Sequence, residues 1–168
     1  MLSQNKTVLR GLLVGSAGVL YLLEGIVLVP IPWFRIGFSH IPVILALLWL
    51  DFPSAVGVSL LRVILGGCFT VGIGGPGFYL GIVGALASVV VMGLMVYFGG
   101  GIFGVVGISV AGAVSHNLLQ VFTAELLFLP DGAFRSLAFL FVLLGGVSGA
   151  LVGWVSWVII SRVNHGGV

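Results

Sequence analysis

Five breaks, at Pro30-Ile-Pro32, Asp51-Phe-Pro53, Gly72-Ile-Gly-Gly-Pro-Gly77, Gly99-Gly-Gly101 and Pro130-Asp-Gly132, cut an otherwise apolar chain into six segments. A bilayer core of about 30 Å takes about 20 mostly apolar residues per helix. The segments run from Thr7 to Val29, Ile41 to Leu50, Ser54 to about Val71, Phe78 to Phe98, Ile102 to Leu129 and Ala133 to Ile160. Only the second is short for a full span, and a polar stretch, Trp33 to Ser39, precedes it. Charged residues are 6% of the chain and hydrophobic ones 60%, where soluble domains carry about 25% charge. A soluble fold of 168 residues could not hide that much apolar surface. The expectation is all-α: one integral membrane bundle of about six transmembrane helices spanning residues 1–168, with the lipid bilayer as its solvent.

The start, with Lys6 and Arg10 ahead of an apolar stretch, has the look of a signal peptide. The stretch is too long for a signal core and ends in Glu24 and prolines, so it reads as a retained first helix. Lys6, Arg10 and Arg162 flank the first and last helices, which places both termini in the cytoplasm of a cell membrane and Arg35 and Arg135 outside. The six Lys and Arg are dispersed, so nucleic-acid binding has no support. Cys68 is the one cysteine, which leaves no disulfide and no multi-cysteine metal site.

Ionisable side chains inside a span cost about 2.5–3.5 kcal/mol on insertion scales and mark a bundle interior or cavity. Arg62 lies nine residues beyond Pro53, about 14 Å into its helix and near the midplane. Two readings stand open: an internal ion pair with Glu24 or Glu125, or a ligand-facing charge. His116, Asn117 and Gln120 fall within about one turn and are either interhelical glue or the wall of a pocket. Glu24, near the outer end of the first helix, falls at a similar height to Gln120, with Arg35, Ser39 and His40 in the loop above. This distribution suggests a cavity open to the outside. The arginines and histidines suit an anionic or carbonyl-rich ligand, and the apolar walls suit a ring or isoprenoid part. Gly11-Leu-Leu-Val-Gly15 gives the first helix a small-residue face, used either for packing within the bundle or for docking a partner membrane protein.

Hydrolytic and nucleotide motifs are missing: no HExxH, no GxSxG, no GxxxxGK[ST]. Gly72 to Gly77 lacks the lysine and strand of a phosphate loop and reads as a turn. Four acidic residues in total leave no DDxxD-type run to hold magnesium for prenyl transfer. No catalytic residue, metal or cofactor is expected, and the chain is expected not to be an enzyme.

The stretch from Pro30 through Arg35-Ile-Gly-Phe-Ser-His-Ile-Pro42 is similar to the segment after the first helix in the substrate-binding S components of energy-coupling factor (ECF) vitamin transporters. With Leu-Leu-Glu24, Leu60-Leu-Arg-Val-Ile-Leu-Gly66 and Ser115-His-Asn-Leu-Leu-Gln120, the chain more narrowly resembles the Gx transporter family, labelled heptaprenyl diphosphate synthase component I, over about residues 10 to 155. It departs from that family's commoner Ala-Asn at Ser39-His40. The resemblance implies a six-helix S component that captures a small-molecule substrate in an outward-facing pocket. The implied partners are a transmembrane coupling subunit, contacted by Gly11 and Gly15, and two cytoplasmic ATPases. The outer loop from Arg35 to His40 would help close the pocket. Two alternatives accompany it: a non-catalytic membrane subunit of polyprenyl diphosphate or quinone biosynthesis, and a membrane component of a flavin or extracellular electron-transfer pathway.

Overall fold

A computed structural model describes residues 2–26, 36–69, 72–99, 101–128 and 133–165. All regular structure among them is helical: α1 (Leu2–Ile26), a 3₁₀ turn (Phe38–His40), α2 (Ile41–Trp49), α3 (Phe52–Phe69), α4 (Pro76–Phe98), α5 (Val105–Leu127) and α6 (Ala133–His165). Five of the six helices are long and apolar enough to cross a membrane. The chain is a multi-pass, all-α membrane protein.

The breaks act through their chemistry. Pro42 and Pro76 stand in the first turn of α2 and α4, where the missing N–H has no intrahelical partner to lose. Gly72 and Gly74 take φ of 76° and 88°, a conformation glycine adopts without strain, and they make the turn between α3 and α4. Asp51 caps α3: its Oδ1 accepts the Ser54 N–H at 2.8 Å and the Ser54 hydroxyl at 2.5 Å. Arg10 of α1 reaches the same turn, donating from Nη2 to Asp51 Oδ2 at 3.0 Å and from Nε to Ser54 Oγ at 2.8 Å.

That contact also fixes the topology. α1 leaves the Arg10 level, and by Asp51 the chain has returned to it, although α2 is only nine residues long, about 14 Å. The four longer helices alternate from there. Gly67 meets Phe78 at one end of the α3–α4 pair and Gly93 meets Phe52 at the other. The start of α1 and the end of α6 therefore share one face of the bundle.

α2 is the centre of the molecule. Ile41 to Leu47 are all buried, in one core with Leu13 and Ala17 of α1, Val58 of α3, Val89 and Met92 of α4, Ile108 of α5 and Val152 of α6. A helix apolar on every side belongs inside a bundle. Around it, small residues let backbones approach. Gly145, Gly149 and Gly153 form a four-residue repeat on α6, and a Cβ at Gly149 or Gly153 would stand 2.7 Å from the Cα of Val110 or Val106 on α5. From sequence, Gly11 and Gly15 stand out instead. In the fold a Cβ at either would meet nothing within 4 Å among the described residues.

The cap at Asp51 carries a pH prediction. The Ser54 hydroxyl and then the Ser54 N–H hold the Asp51 carboxyl below its usual range, with desolvation opposing them and Arg10 adding its pull last. Its folded pKa is depressed, so its contribution is complete above the unfolded value near 3.9 and is lost as pH falls through the folded one. Thermal midpoints in detergent should hold from about pH 6 to about pH 4 and fall below. Asp51→Asn should start lower and remove the part of that fall due to this carboxyl. An unchanged acid profile in Asp51→Asn would refute the assignment.

Candidate functional site

The buried face of α3 carries Ala55, Val58, Ser59, Arg62, Val63 and Gly66, the spacing of a helix stripe turned inward. Ser59 Oγ donates to the Ala85 carbonyl at 3.3 Å and ties α3 to α4. Arg62 follows one turn later, eleventh of the eighteen residues of α3 and only 1% exposed. A buried guanidinium is tolerated only with partners that satisfy it.

Ser39 and His40 supply them. Arg62 Nη1 donates to Ser39 Oγ at 2.7 Å. The Ser39 hydroxyl donates onward to Glu24 Oε2 at 3.0 Å, and the Ser39 N–H donates to Glu24 Oε1 at 3.2 Å. One serine thus links a buried carboxylate on α1 to a buried guanidinium on α3. Glu24 also lies against the N-terminal end of the helical run 38–49, where an anion is stabilised by the peptide dipoles. The second partner is the His40 ring, with Nδ1 3.1 Å from Arg62 Nη1 and Nε2 2.8 Å from Nη2.

The network continues to α5. The His40 and His116 rings meet edge to face, centroids 4.9 Å apart at 87°. His116 and Gln120 both lie over Gly84 of α4, where a Cβ would stand 2.8 Å from His116 Cε1 and 2.9 Å from Gln120 Cγ. Gly84 leaves room for the two polar side chains. Asn117 turns away: its Nδ2 donates to the Phe141 carbonyl of α6 at 3.2 Å, and a Cβ on Gly145 would touch it. The interhelical reading describes Asn117, while His116 and Gln120 belong to the central cluster.

Two features of the predicted site look different in the structure. Ser39 and His40 are wound into the 3₁₀ turn and set among α1, α3 and α5, not in a loop above the bundle. The cause is the pull of two buried charged groups on one N–H, one hydroxyl and one imidazole. The cluster consequently sits at mid-depth, at the level of Arg62. Ser39, which holds Glu24 and Arg62 together, is placed from sequence only in the loop above the cavity, and its linking role is not read there. Arg35 lies outside the described residues. Gly11 and Gly15 stand toward the opposite end of α1 from Glu24, beside Arg10.

In chemical terms the site offers a guanidinium, a carboxylate, two imidazoles, an amide and a hydroxyl in an apolar bundle. It can hold a polar group of a small molecule by several hydrogen bonds. A metal cation does not fit, because the guanidinium already lies within 3.1 Å of both His40 nitrogens and repels a second positive charge.

Comparison with known proteins adds one finding. The family model described as heptaprenyl diphosphate synthase component I matches residues 13–159. No curated protein and no solved structure matches the chain. The match takes in α1 from Leu13, the whole of the polar cluster and nearly all of α6, and with it the chain belongs to the heptaprenyl diphosphate synthase component I family.

Proposed function

We propose that this protein is the membrane-embedded substrate-binding subunit of an ECF-type importer, capturing a small vitamin or cofactor precursor and catalysing nothing itself. The observation that carries this reading is the Glu24–Ser39–Arg62–His40–His116 network, buried at mid-depth in a bundle that is otherwise apolar. Polar residues at that depth face substrates or one another, and this group mixes donors and acceptors. Lys6, Arg10 and Arg162 at one face favour a cytoplasmic location for both termini, which turns the Glu24 end of α1 outward.

Native mass spectrometry of protein purified in mild detergent tests capture. A bound small molecule that leaves on gentle activation is expected. A spectrum of bare chain and lipid alone, from cells grown in rich medium, would count against capture.

α1 supports the second half of the reading. The glycine repeat of α6 is used up against α5, whereas Gly11 and Gly15 lie open on the surface. That face suits a coupling subunit, which would bring two ATPases. Gly11→Leu with Gly15→Leu should leave the fold intact, because both new side chains enter open space. The same pair should reduce recovery of a coupling subunit in pull-downs at least tenfold. Undiminished recovery from the double variant would sink the docking assignment.

The description of the matched family favours a second reading, a non-catalytic subunit of polyprenyl diphosphate synthesis. Stimulation of a prenyl synthase by the purified protein would support it over transport.

A further inference from the structure

Gln120 is the side chain of the cluster whose hydrogen bonds are still open. Among the described residues its amide neither donates nor accepts one. Other polar side chains around it are engaged: Glu24 by Ser39, Arg62 by Ser39 and His40, Ser59 by Ala85 and Asn117 by Phe141. Yet Gln120 is no surface residue. It is 8% exposed and shares the buried stripe of α5 with Gly112, Asn117, Val121 and Ala124, while Leu119 and Phe122 on the other side of the helix are exposed. Its stem lies beside His116 over Gly84. The small accessible part that remains includes both polar atoms of the amide, since neither is sealed in. An inward amide without a partner loses hydration and gains no bond in return, so it is not glue between helices.

We infer that Gln120 is a ligand-recognition residue, and that the ligand presents a neutral amide edge, an N–H beside a C=O as in a lactam, an imide or a pyrimidinone ring. The inference rests on reading the site as one of capture and adds the class of molecule. A carboxamide offers an acceptor oxygen and donor N–H groups on one planar unit, so its complement is a planar edge with one donor beside one acceptor. Half a turn of the amide exchanges its oxygen and nitrogen, and an edge of either order can be met. Groups of a single nature fit less well. A carboxylate or phosphate takes the N–H and sets its own oxygens against the Gln120 oxygen. An ammonium takes the oxygen and sets N–H against N–H. An apolar ring leaves both positions unpaired, which costs more than a bond contributes when it is made. Glu24 and Arg62 are already joined through Ser39, and a neutral edge leaves that balance of charge as it is.

The test uses the full chain in phosphatidylcholine nanodiscs and two probes of one shape: 2-quinolone, which carries the N–H/C=O edge, and coumarin, in which an oxygen replaces the N–H. Saturation-transfer NMR should show 2-quinolone binding about tenfold tighter than coumarin, the worth of one hydrogen bond in a buried site. Gln120→Leu should bring the two within about twofold by weakening 2-quinolone alone. Without ligand, the same variant should keep or raise the thermal midpoint in detergent, because an unpartnered amide is gone from the interior. A lowered midpoint would make Gln120 a helix-packing residue and overturn the inference. So would equal affinity for the two probes, tighter binding of coumarin, or a preference that survives in Gln120→Leu. Should neither probe bind, the molecule seen by native mass spectrometry decides: one with an N–H/C=O edge supports the inference, and one without it overturns it while capture stands. No bound molecule and no binding of either probe overturns both.

Discussion

Replacing Arg62 with Met should destabilise the bundle by about 3–5 kcal/mol, the range seen when one partner of a buried charge network is removed. The cost does not come from packing, since Met fills much of the volume of the arginine stem. It comes from Glu24, 7% exposed, which stays behind with its charge and loses the guanidinium that Ser39 connects to it. Glu24→Gln in the Arg62→Met background should therefore recover a large part of the loss, by removing a charge that no longer has its counterpart. Glu24→Gln alone should be destabilising. Such coupling is the signature of residues in one network. Unfolding midpoints of the four proteins in one detergent measure it. Additive effects would mean that the two charges do not sense each other through Ser39, and the account of the site would fail with them. Arg62→Lys should fall between, because lysine keeps the charge and loses the planar fork.

Much of this is legible in the sequence. Proline and glycine breaks place the helices because both residues act locally: one removes a donor, the other permits φ that side chains disfavour. Depth along α3 places Arg62 near the midplane because rise per residue is constant. Depth fails for Ser39 and His40. Counting from the end of α1 puts them outside, and nothing in a polar stretch announces that it turns back into the bundle. What draws it in is Glu24 on one helix and Arg62 on another, a pairing between distant segments. Asn117 is ambiguous for a different reason. It lies about 60° around the helix from Gln120 and about 100° from His116, so a single polar face and two separate ones are equally compatible with the spacing. The partners across the interface, Gly84 on one side and Phe141 on the other, settle it. The α6 repeat Gly145, Gly149, Gly153 has the clearest signal of all, three glycines at intervals of four, and it is lost among 28 glycines. Spacing alone does not tell which glycine face is buried against a neighbour and which is left open.

That distinction gives the second large effect. Gly149→Val should cost about 3 kcal/mol or more, at the upper end for inserting side-chain bulk into a packed interface. The first added carbon would stand 2.7 Å from the Val110 Cα and 3.1 Å from the Ser109 carbonyl oxygen. Those are backbone atoms and cannot swing aside as the end of a side chain could, so the two helices must separate. Separation at this height disturbs the whole α5–α6 seam, because Gly153 makes the same 2.7 Å approach one turn on and a Cβ at Gly145 would stand 3.2 Å from α5 backbone one turn back. It also pulls on the Asn117 to Phe141 bond and shifts His116 relative to His40. Gly146→Val is the matched control: the same helix and the same added bulk, at a position where a Cβ meets nothing within 4 Å among the described residues. Its midpoint should stay close to that of the unaltered protein, since valine costs a membrane helix little when it faces lipid. Equal loss in both variants would assign the effect to helix propensity and not to the interface. Loss confined to Gly149→Val would establish that α5 and α6 are held at backbone contact, which the mid-depth cluster requires if His116 is to reach His40 across Gly84.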